Sequence, residues 1–305
     1  MKAETNLEKV LESGAFAVTA EAGPPKGTGT RGMSRRGEML LPYCDAVNVT
    51  DNQTAIVRMC SLAGCVLLRQ QGVDPVMQMV TRDRNRIALQ SDILGAVAMG
   101  IGNILCLSGD HQKFGNHPSA KGVFDIDSVQ LIQTMKKMRD EGLFICGEEV
   151  SGRVPLFIGA AENPYADPFE FRVIRLAKKI KAGADFIQTQ AVYDVPKFAR
   201  WMEMVTDRGL DKQVHILAGV IPIRAVGMAR YMRDSVSGVS VPDEIITRME
   251  KAKEAKVEGI KIIGEIIEQL KEIPGVHGVH IMAVGWEEIV PEIVEAAGLY
   301  PRPLL

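Results

Sequence analysis

The chain has little of what marks membrane or nucleic-acid-binding proteins. No apolar run in the sequence reaches the roughly 18–20 residues that a membrane-spanning helix requires. The formal net charge is only −2, with acidic and basic residues mixed along the chain, so charge gives no reason to expect a nucleic acid or an anionic membrane as partner. The charged amino-terminal segment is unlike a signal peptide and is typical of a helix, with Thr5 and Glu8 spaced as a capping box. We therefore expect a cytoplasmic protein without a membrane span.

Cysteine is scarce, and several catalytic motifs are missing. The sequence has five cysteines and no Cys-x-x-Cys pair, and most of them lie in apolar runs. This odd count predicts reduced, buried thiols and makes a zinc site built from this chain alone improbable. Metal-ligand spacing, a Gly-x-Ser-x-Gly elbow and a Cys–His pair on neighbouring strand ends are also absent from the sequence.

Strand-like segments recur along the chain at an even spacing. Most are near-continuous apolar runs, as expected for strands that are covered on both faces. Their starts lie about 28–30 residues apart except after the fourth and the seventh, and one βαβ step needs about 30 residues. The predicted strands are FAVTAEA (16–22), DAVNVTD (45–51), PVMQMVT (75–81), NILCLSGD (103–110), PLFIGAA (155–161), DFIQTQAVY (185–193), VHILAGVIPI (214–223) and GVHIMAVG (278–285).

Helical patterns fill the intervals, and this alternation favours an α/β fold, a single (β/α)8 TIM barrel. An amino-terminal helix precedes the first strand, and an extra, charged helical segment of one or two helices fills the wide gap before the last. Since no composition shift marks a domain boundary, we expect one barrel domain over residues 1–305, with an open doubly wound sheet as the alternative. The predicted helices cover residues 54–71, 127–140, 168–181, 196–206, 225–234, 241–273 and 287–297.

Residues 27–32, Gly-Thr-Gly-Thr-Arg-Gly, match the dinucleotide fingerprint G-x-G-x-x-G, and Asp51 follows at about the expected distance. The fingerprint requires its first glycine directly after a strand, but residues 23–26 intervene here. The following SRRGEML is also a poor start for a tightly packed helix. We interpret the segment as a mobile, glycine-rich loop beside an active site.

Polar side chains stand at the carboxyl ends of the predicted strands, which meet at one mouth in a barrel. Glu21 ends the first strand before a Gly-Pro-Pro break, where catalytic groups are common. Asp110 ends the fourth strand and supplies a second carboxylate. On the helix before the sixth strand, Arg172, Arg175 and Lys179 form a basic stripe. This stripe is either a cradle for a cofactor pyrophosphate or a solvated face.

Four further polar residues lie within predicted strands. Alternation places Gln188 and Gln190 on the same side, inward in a barrel. Because a buried amide needs partners, they indicate either a polar ligand in the lumen or a hydrogen bond to a neighbouring strand. His215 and His280 are interpreted as hydrogen-bonded structural residues.

Five segments taken together resemble the methylenetetrahydrofolate reductase family, and the match covers nearly the whole chain. They are VTAEAGPP (18–25), VNVTD (47–51), LCLSGD (105–110), KKIKAGADFIQTQAVYD (178–194) and LAGVIPI (217–223). The resemblance, to a divergent bacterial-type member, implies a (β/α)8 flavoprotein that reduces 5,10-methylenetetrahydrofolate to 5-methyltetrahydrofolate. The implied cofactor is FAD, with FMN as the alternative.

The resemblance also implies roles for individual residues. Glu21 matches the general acid that helps open the imidazolidine ring to an iminium ion, and Asp110 matches an ionised aspartate near the flavin and the pterin. Gln190 matches the glutamine that binds the pterin, with Asp110 beside it. The implied cofactor-binding residues are Thr50, Gln78, Ser108, Gly109, Asp110, Ala161, Tyr165, Arg172, Arg175 and Lys179.

Several positions depart from the family pattern. Gln78 stands where many bacterial members have histidine, Ser108 where they often have arginine, and residues 161–164 replace a tyrosine-proline-glutamate stretch. At the position of the aromatic residue on which nicotinamide stacks, this chain has Met232, with Tyr231 adjacent. The resemblance thus implies a folate substrate, and either NAD(P)H or a redox partner subunit as electron donor, in a homo- or hetero-oligomer. A non-catalytic barrel subunit, a proline-oxidising flavoenzyme and a pterin-dependent methyltransferase are the alternatives.

Overall fold

Parallel strands close into a barrel in the computed structural model, which describes residues 1–236 and 238–305. The strands are hydrogen-bonded in sequential order, and β8 returns to pair with β1. The predicted (β/α)8 barrel is confirmed, and each predicted strand overlaps an observed one. The strands of the described chain are Ala17–Ala22 (β1), Ala46–Val49 (β2), Pro75–Val80 (β3), Asn103–Leu107 (β4), Phe157–Glu162 (β5), Phe186–Ala191 (β6), His215–Val220 (β7) and Val276–Ile281 (β8).

Helices surround the barrel and cover its apolar outer face. The amino-terminal helix α1 lies under the barrel, and the charged stretch before β8 forms the helices α9 and α10. In chain order the α-helices of the described residues are Asn6–Glu12 (α1), Arg31–Leu40 (α2), Ser61–Arg69 (α3), Arg86–Ala98 (α4), Ser128–Asp140 (α5), Phe171–Ala182 (α6), Val195–Thr206 (α7), Val226–Ser235 (α8), Asp243–Lys251 (α9), Ala255–Lys271 (α10) and Val290–Ala296 (α11). None of the described helices is both long and apolar enough to cross a membrane.

The inside of the barrel is layered, because alternate residues of each strand point inward. At the amino-terminal end an apolar floor packs on α1, and its Phe157 and Phe186 rings stack with centroids 5.1 Å apart. Gly159 makes room for this stack, since a Cβ there would lie 2.3 Å from Cζ of Phe186. Above the floor lies a buried polar layer made of Thr19, Asn48, Gln78, Gln188 and His280. The interior therefore becomes more polar toward the carboxyl ends of the strands.

Three local predictions were wrong. The helix predicted over 54–71 begins only at Ser61, because Thr54 has a left-handed backbone and Met59 donates its N–H to the carbonyl of Pro25. SRRGEML (34–40), interpreted as a poor start for a tightly packed helix, lies within α2, which begins at Arg31. Thr5 caps α1 as predicted, but the Glu8 carboxylate accepts N–H groups of Lys2, Ala3 and Glu4, so the reciprocal half of the capping box is missing.

Candidate active site

A cavity of about 370 Å³ opens at the carboxyl-terminal mouth of the barrel. A larger cavity, about 590 Å³, lies at the opposite end around α1 and the start of β3. We take the first as the candidate site, since catalytic groups in (β/α)8 barrels stand on the loops and strand ends of the carboxyl-terminal face. The residues that line it are Glu21, Gln78, Leu105, Leu107, Ala161, Glu162, Asn163, Arg172, Arg175, Lys179, Gln188, Thr189, Gln190, His280 and Met282.

Glu21 lies in this cavity on β1, with 14% of its side chain exposed. Thr19 and Glu21 are two residues apart and therefore share the inward face of the strand. The Gln78 amide donates a hydrogen bond of 3.0 Å to Oε1 of Glu21, and Nε2 of His280 lies 3.6 Å from the same oxygen. The predicted acid is thus partly shielded and contacts side chains of β3 and β8.

His280 belongs to a hydrogen-bonded group inside the barrel. Its Nδ1 lies 2.9 Å from Oγ1 of Thr19, which also accepts a hydrogen bond of 3.2 Å from the amide of Gln188. Gln188 and Asn48 exchange two further bonds, of 2.6 and 3.1 Å. Of the two interpretations of Gln188, the internal hydrogen bond to another strand is therefore the one observed. Gln190, two residues further on, lines the cavity.

Lys179 and Glu162 form a buried ion pair in the cavity wall. The Lys179 ammonium lies 2.7 Å from a Glu162 carboxylate oxygen, and the two side chains are 7% and 2% exposed. Burial lowers the pKa of Lys179, and the Glu162 carboxylate acts against this shift. The positive charge of Lys179 is thus locally balanced. Arg172 and Arg175 of the same stripe line the cavity as predicted, and Arg175 is exposed.

The predicted residues at the ends of β2 and β4 lie outside the lining of this cavity. Asp110 is exposed, and its carbonyl accepts a hydrogen bond of 3.0 Å from the buried guanidinium of Arg82. Gly109 has φ +85° and packs against Val80 and Arg82, so a side chain at this position would be strained and crowded. Thr50 is buried at the end of β2.

Ser108 and Tyr165 are likewise separate from the cavity. Ser108 is exposed in the loop after β4. The hydroxyl of Tyr165 donates a hydrogen bond of 2.9 Å to the carbonyl of Asp194, and burial raises the pKa of this hydroxyl. Tyr165 instead lines a neighbouring cavity with Lys197 and Arg233. Of the predicted site residues, the structure brings together Glu21, Gln78, Ala161, Arg172, Arg175, Lys179 and Gln190.

Sequence reasoning missed two residues of the cavity as functional candidates. His280 was interpreted as structural, although its pairing with Thr19 follows from the register of β1 and β8. Glu162 was given no role of its own. Its partner lies 17 residues further along the chain, and pairing of the two becomes evident only when α6 packs on β5.

The described residues fit a flavin in two respects. Oγ1 of Thr50 and Nε of Arg172 are buried without a hydrogen-bond partner, and both residues were predicted to contact the cofactor. Unpaired polar atoms are uncommon in folded proteins, and at Arg172, which lines the cavity, a bound ligand could supply the partner. Arg172 and Arg175 could hold phosphate. By contrast, among the residues that the structure describes, no cluster of His, Cys, Asp and Glu is placed to hold a metal ion.

The closed barrel and its polar mouth define a (β/α)8 protein with a ligand site at the carboxyl ends of its strands. Residues 6–298 match the sequence profile of the methylenetetrahydrofolate reductase family, and the chain belongs to that family. The suspected family is thus confirmed.

Named relatives agree with this assignment at low identity. Methylenetetrahydrofolate reductase 2 of Schizosaccharomyces pombe is 27% identical over 324 residues, which cover 99% of this chain and 48% of the relative. The 5,10-methylenetetrahydrofolate reductase of Salmonella typhimurium is 23% identical, over 66% of this chain and 62% of its own length. This chain therefore spans about half the length of the fission-yeast relative.

A solved structure shares the fold. An uncharacterized protein from Clostridium thermocellum, described as binding two copies of 5-methyl-5,6,7,8-tetrahydrofolic acid, aligns with a TM-score of 0.62. The alignment covers 96% of this chain and 98% of that chain at 15% identity, so it supports the barrel architecture alone.

Proposed function

We propose that this chain catalyses the flavin-dependent reduction of 5,10-methylenetetrahydrofolate to 5-methyltetrahydrofolate in one-carbon metabolism. The observation that carries the proposal is the position of Glu21, a partly shielded carboxyl in the mouth cavity of a chain that belongs to this family. The Clostridium thermocellum protein of the same fold is described as binding 5-methyltetrahydrofolic acid, which supports a folate as ligand.

Glu21 is the general acid of the proposed reaction. It donates its proton to one nitrogen of the imidazolidine ring, and the bond between this nitrogen and the bridging methylene carbon breaks. The methylene carbon then forms an iminium ion with the other nitrogen. A reduced flavin, when bound, supplies the hydride, a chemistry that no side chain offers. Apolar side chains of Leu105, Leu107 and Met282 line the same cavity and limit access of water to the reacting groups.

The remaining polar groups bind and orient. The Gln190 amide lines the cavity and is the proposed pterin contact. Arg172 and Arg175 line the cavity and would hold the cofactor phosphate, whereas Thr50 is buried outside this lining. Asp110 is exposed after the end of β4, and we propose that it favours the cationic iminium. Arg82 fixes the backbone of that loop.

Glu21→Gln tests the acid directly. The variant keeps the shape of the side chain but has no proton to donate, so we expect it to retain bound flavin while reoxidation of the reduced flavin by methylenetetrahydrofolate slows by at least about 100-fold. Stopped-flow absorbance of chemically reduced protein measures this step without an electron donor. Undiminished reoxidation in the variant would remove Glu21 from the acid role, and a colourless wild-type protein would contradict the flavoenzyme itself.

We propose FAD as the cofactor, with FMN as the alternative. The spectrum of the compound released from purified protein identifies it as a flavin. Its mass distinguishes the two, because FAD contains an adenylate that FMN lacks. A flavin that is reduced by 5-methyltetrahydrofolate but not by proline would distinguish the proposed reaction from that of a proline-oxidising barrel.

We also infer that electrons reach the flavin from a redox partner subunit. Among the described residues that line the cavity, none is phenylalanine, tyrosine or tryptophan, so a stacking platform for nicotinamide is missing there. Met232, at the position of that aromatic, is 4% exposed and contacts the hydroxyl of Tyr193 through its sulfur at 3.4 Å. Its side chain is therefore part of the core.

We expect the isolated chain to oxidise NADH and NADPH far more slowly than the median enzyme rate of about 10 s⁻¹. As a control, the same preparation reduced by dithionite should react normally with methylenetetrahydrofolate, which shows that its folate site is intact. Steady-state oxidation of NADH or NADPH by the single chain at an ordinary enzymatic rate would refute the partner requirement.

A further inference from the structure

Both described partners of the Glu21 carboxylate contact the same oxygen. Oε1 accepts the 3.0 Å hydrogen bond from Gln78 on β3 and faces Nε2 of His280 on β8 at 3.6 Å. Within the described part of the chain, Oε2 has no hydrogen-bond partner in the protein. Gln78 therefore holds one carboxyl oxygen by a hydrogen bond while His280 lies near the same oxygen, and the other oxygen is free for a ligand in the cavity.

The hydrogen-bond directions around His280 can be followed from the buried amides. Gln188 donates to Oγ1 of Thr19, so the Thr19 hydroxyl hydrogen points elsewhere. Nδ1 of His280, at 2.9 Å, is a closer acceptor than the Val279 carbonyl at 3.4 Å. When Nδ1 accepts this hydrogen, the ring hydrogen lies on Nε2, which faces Glu21.

We propose that Gln78 and His280 are positioning residues that hold Oε1 of Glu21 and thereby direct Oε2, with its proton, toward the substrate. The proposal rests on the proposed function and assigns to Gln78 a different role from the cofactor contact expected from the resemblance. The hydrogen bond from Gln78, with the imidazole of His280 near the same oxygen, restricts the rotation of the carboxyl group, and proton transfer depends steeply on such alignment.

His280 orients Glu21 and does not connect it to bulk water. Thr19 and Asn48 are fully buried, and Gln188 and His280 are each 3% exposed. The hydrogen bonds from His280 lead through Thr19 and Gln188 to Asn48, and Asn48 returns its bond to Gln188. A proton lost from Glu21 is therefore replaced through the mouth cavity.

Gln78→Glu is the decisive variant, because it nearly preserves shape and replaces a donor with a second carboxyl. Two carboxyl groups in contact cannot both ionise easily, so they share a proton. The other titratable and charged side chains that line the cavity are His280 of β8, Glu162 of β5, and Arg172, Arg175 and Lys179 of α6. These stay unchanged in the variant.

As the pH is raised, the rate of flavin reoxidation by methylenetetrahydrofolate should fall later in Gln78→Glu than in the wild type. We expect this fall to shift upward by about one pH unit or more. Gln133→Glu, which adds the same charge on the exposed face of α5, is the matched control and should leave the profile unchanged. Altered flavin affinity with an unshifted pH profile would instead assign Gln78 to the cofactor and overturn the proposal.

Thr19→Val and Thr19→Ser test the other side of the carboxyl group. Valine has nearly the shape of threonine but cannot donate to Nδ1 of His280, whereas serine can. We expect Thr19→Val to slow reoxidation by about 10- to 100-fold without changing flavin content, and Thr19→Ser to keep most of the rate. Equal rates in both variants would contradict the role of His280.

A measurement without catalysis separates this inference from the proposed function. Nitrogen-15 NMR of labelled histidine, with the His280 signal assigned from His280→Gln, should show a neutral ring protonated at Nε2 in the wild type and a change in Thr19→Val. A ring protonated at Nδ1 in the wild type would overturn the inference. Failure of the proposed function would appear differently, as a wild-type protein whose flavin does not react with methylenetetrahydrofolate.

Discussion

At the scale of single residues, the pair formed by Lys179 and Glu162 changes how the basic stripe of α6 should be understood. The resemblance assigns Lys179 to the cofactor, yet its ammonium lies against a carboxylate in the cavity wall, and both side chains are almost fully buried. An ammonium that leaves water needs such a partner. In the proposed cofactor site, Arg172 and Arg175 would therefore provide the positive charge for a phosphate.

This pair predicts an asymmetric response to mutation. Removal of one partner leaves the other as an uncompensated buried charge, so Glu162→Gln and Lys179→Met should each lower the free energy of unfolding by about 3–5 kcal/mol. The double variant has neither charge, so its loss of unfolding free energy should be much smaller than the sum of the two single losses. Urea unfolding of the full chain, followed by circular dichroism, measures all three. Small, additive losses would show instead that Lys179 is free to bind phosphate.

The buried glutamines show what a residue pattern can predict about a site. Alternation was sufficient to place Gln188 and Gln190 inside the barrel, because side chains of a strand alternate strictly between its two faces. It could not distinguish their roles. Gln188 is bonded to Asn48, a residue 140 positions away, and that contact exists only once β2 and β6 stand on opposite sides of a closed barrel.

At the scale of elements, the strands were predictable and some helices were not. The strands are buried on both faces and therefore have continuous apolar runs that stand out in the sequence. Helix α2 has only Met33, Gly37 and Leu40 buried among ten residues, and five of its other residues are charged or are serine, which obscures its periodicity. Close packing favours Gly37, since a Cβ there would lie 3.2 Å from a methyl group of Leu68.

The broken helix between β2 and α3 has a tertiary cause. Its apolar residues continue with helical spacing from Ile56, so local pattern favours one long helix. In the fold, Arg58 donates a hydrogen bond of 3.1 Å to the carbonyl of Pro24, and Met59 bonds the carbonyl of Pro25. These bonds tie the segment to the loop that follows β1. Backbone and side-chain contacts to another loop thus override a local preference.

At the scale of the whole molecule, the two ends of the barrel use carboxylates differently. At the amino-terminal end, Asp45 and Asp185 accept backbone N–H groups of Val18 and Ile158 on neighbouring strands and pair with basic side chains. These groups have all their partners within the protein and stabilise the fold. At the carboxyl-terminal end, Glu21 keeps one oxygen free for a ligand. The carboxylate group is therefore a structural element at one end of the barrel, and at the other end it is the proposed acid.

The ion pair of Arg302 with Asp45 joins the segment after α11 to the start of β2. The guanidinium lies 2.6 Å from a carboxylate that is 1% exposed, and it also donates a hydrogen bond of 2.7 Å to the carbonyl of Phe16. Arg302→Ala leaves this carboxylate buried without its cation, so we expect the free energy of unfolding to fall by about 3–5 kcal/mol.

Arg86→Ala is the matched control for Arg302→Ala. Arg86 and Asp125 form an ion pair of nearly equal length, 2.7 Å, but their side chains are 49% and 31% exposed. Water and salt screen such a pair, so its loss should cost less than about 1 kcal/mol. Chemical denaturation of both variants at one ionic strength compares the two costs. If the two losses were equal, burial would not explain the strength of the Arg302 link, and the segment after α11 would not be anchored to the barrel by this ion pair.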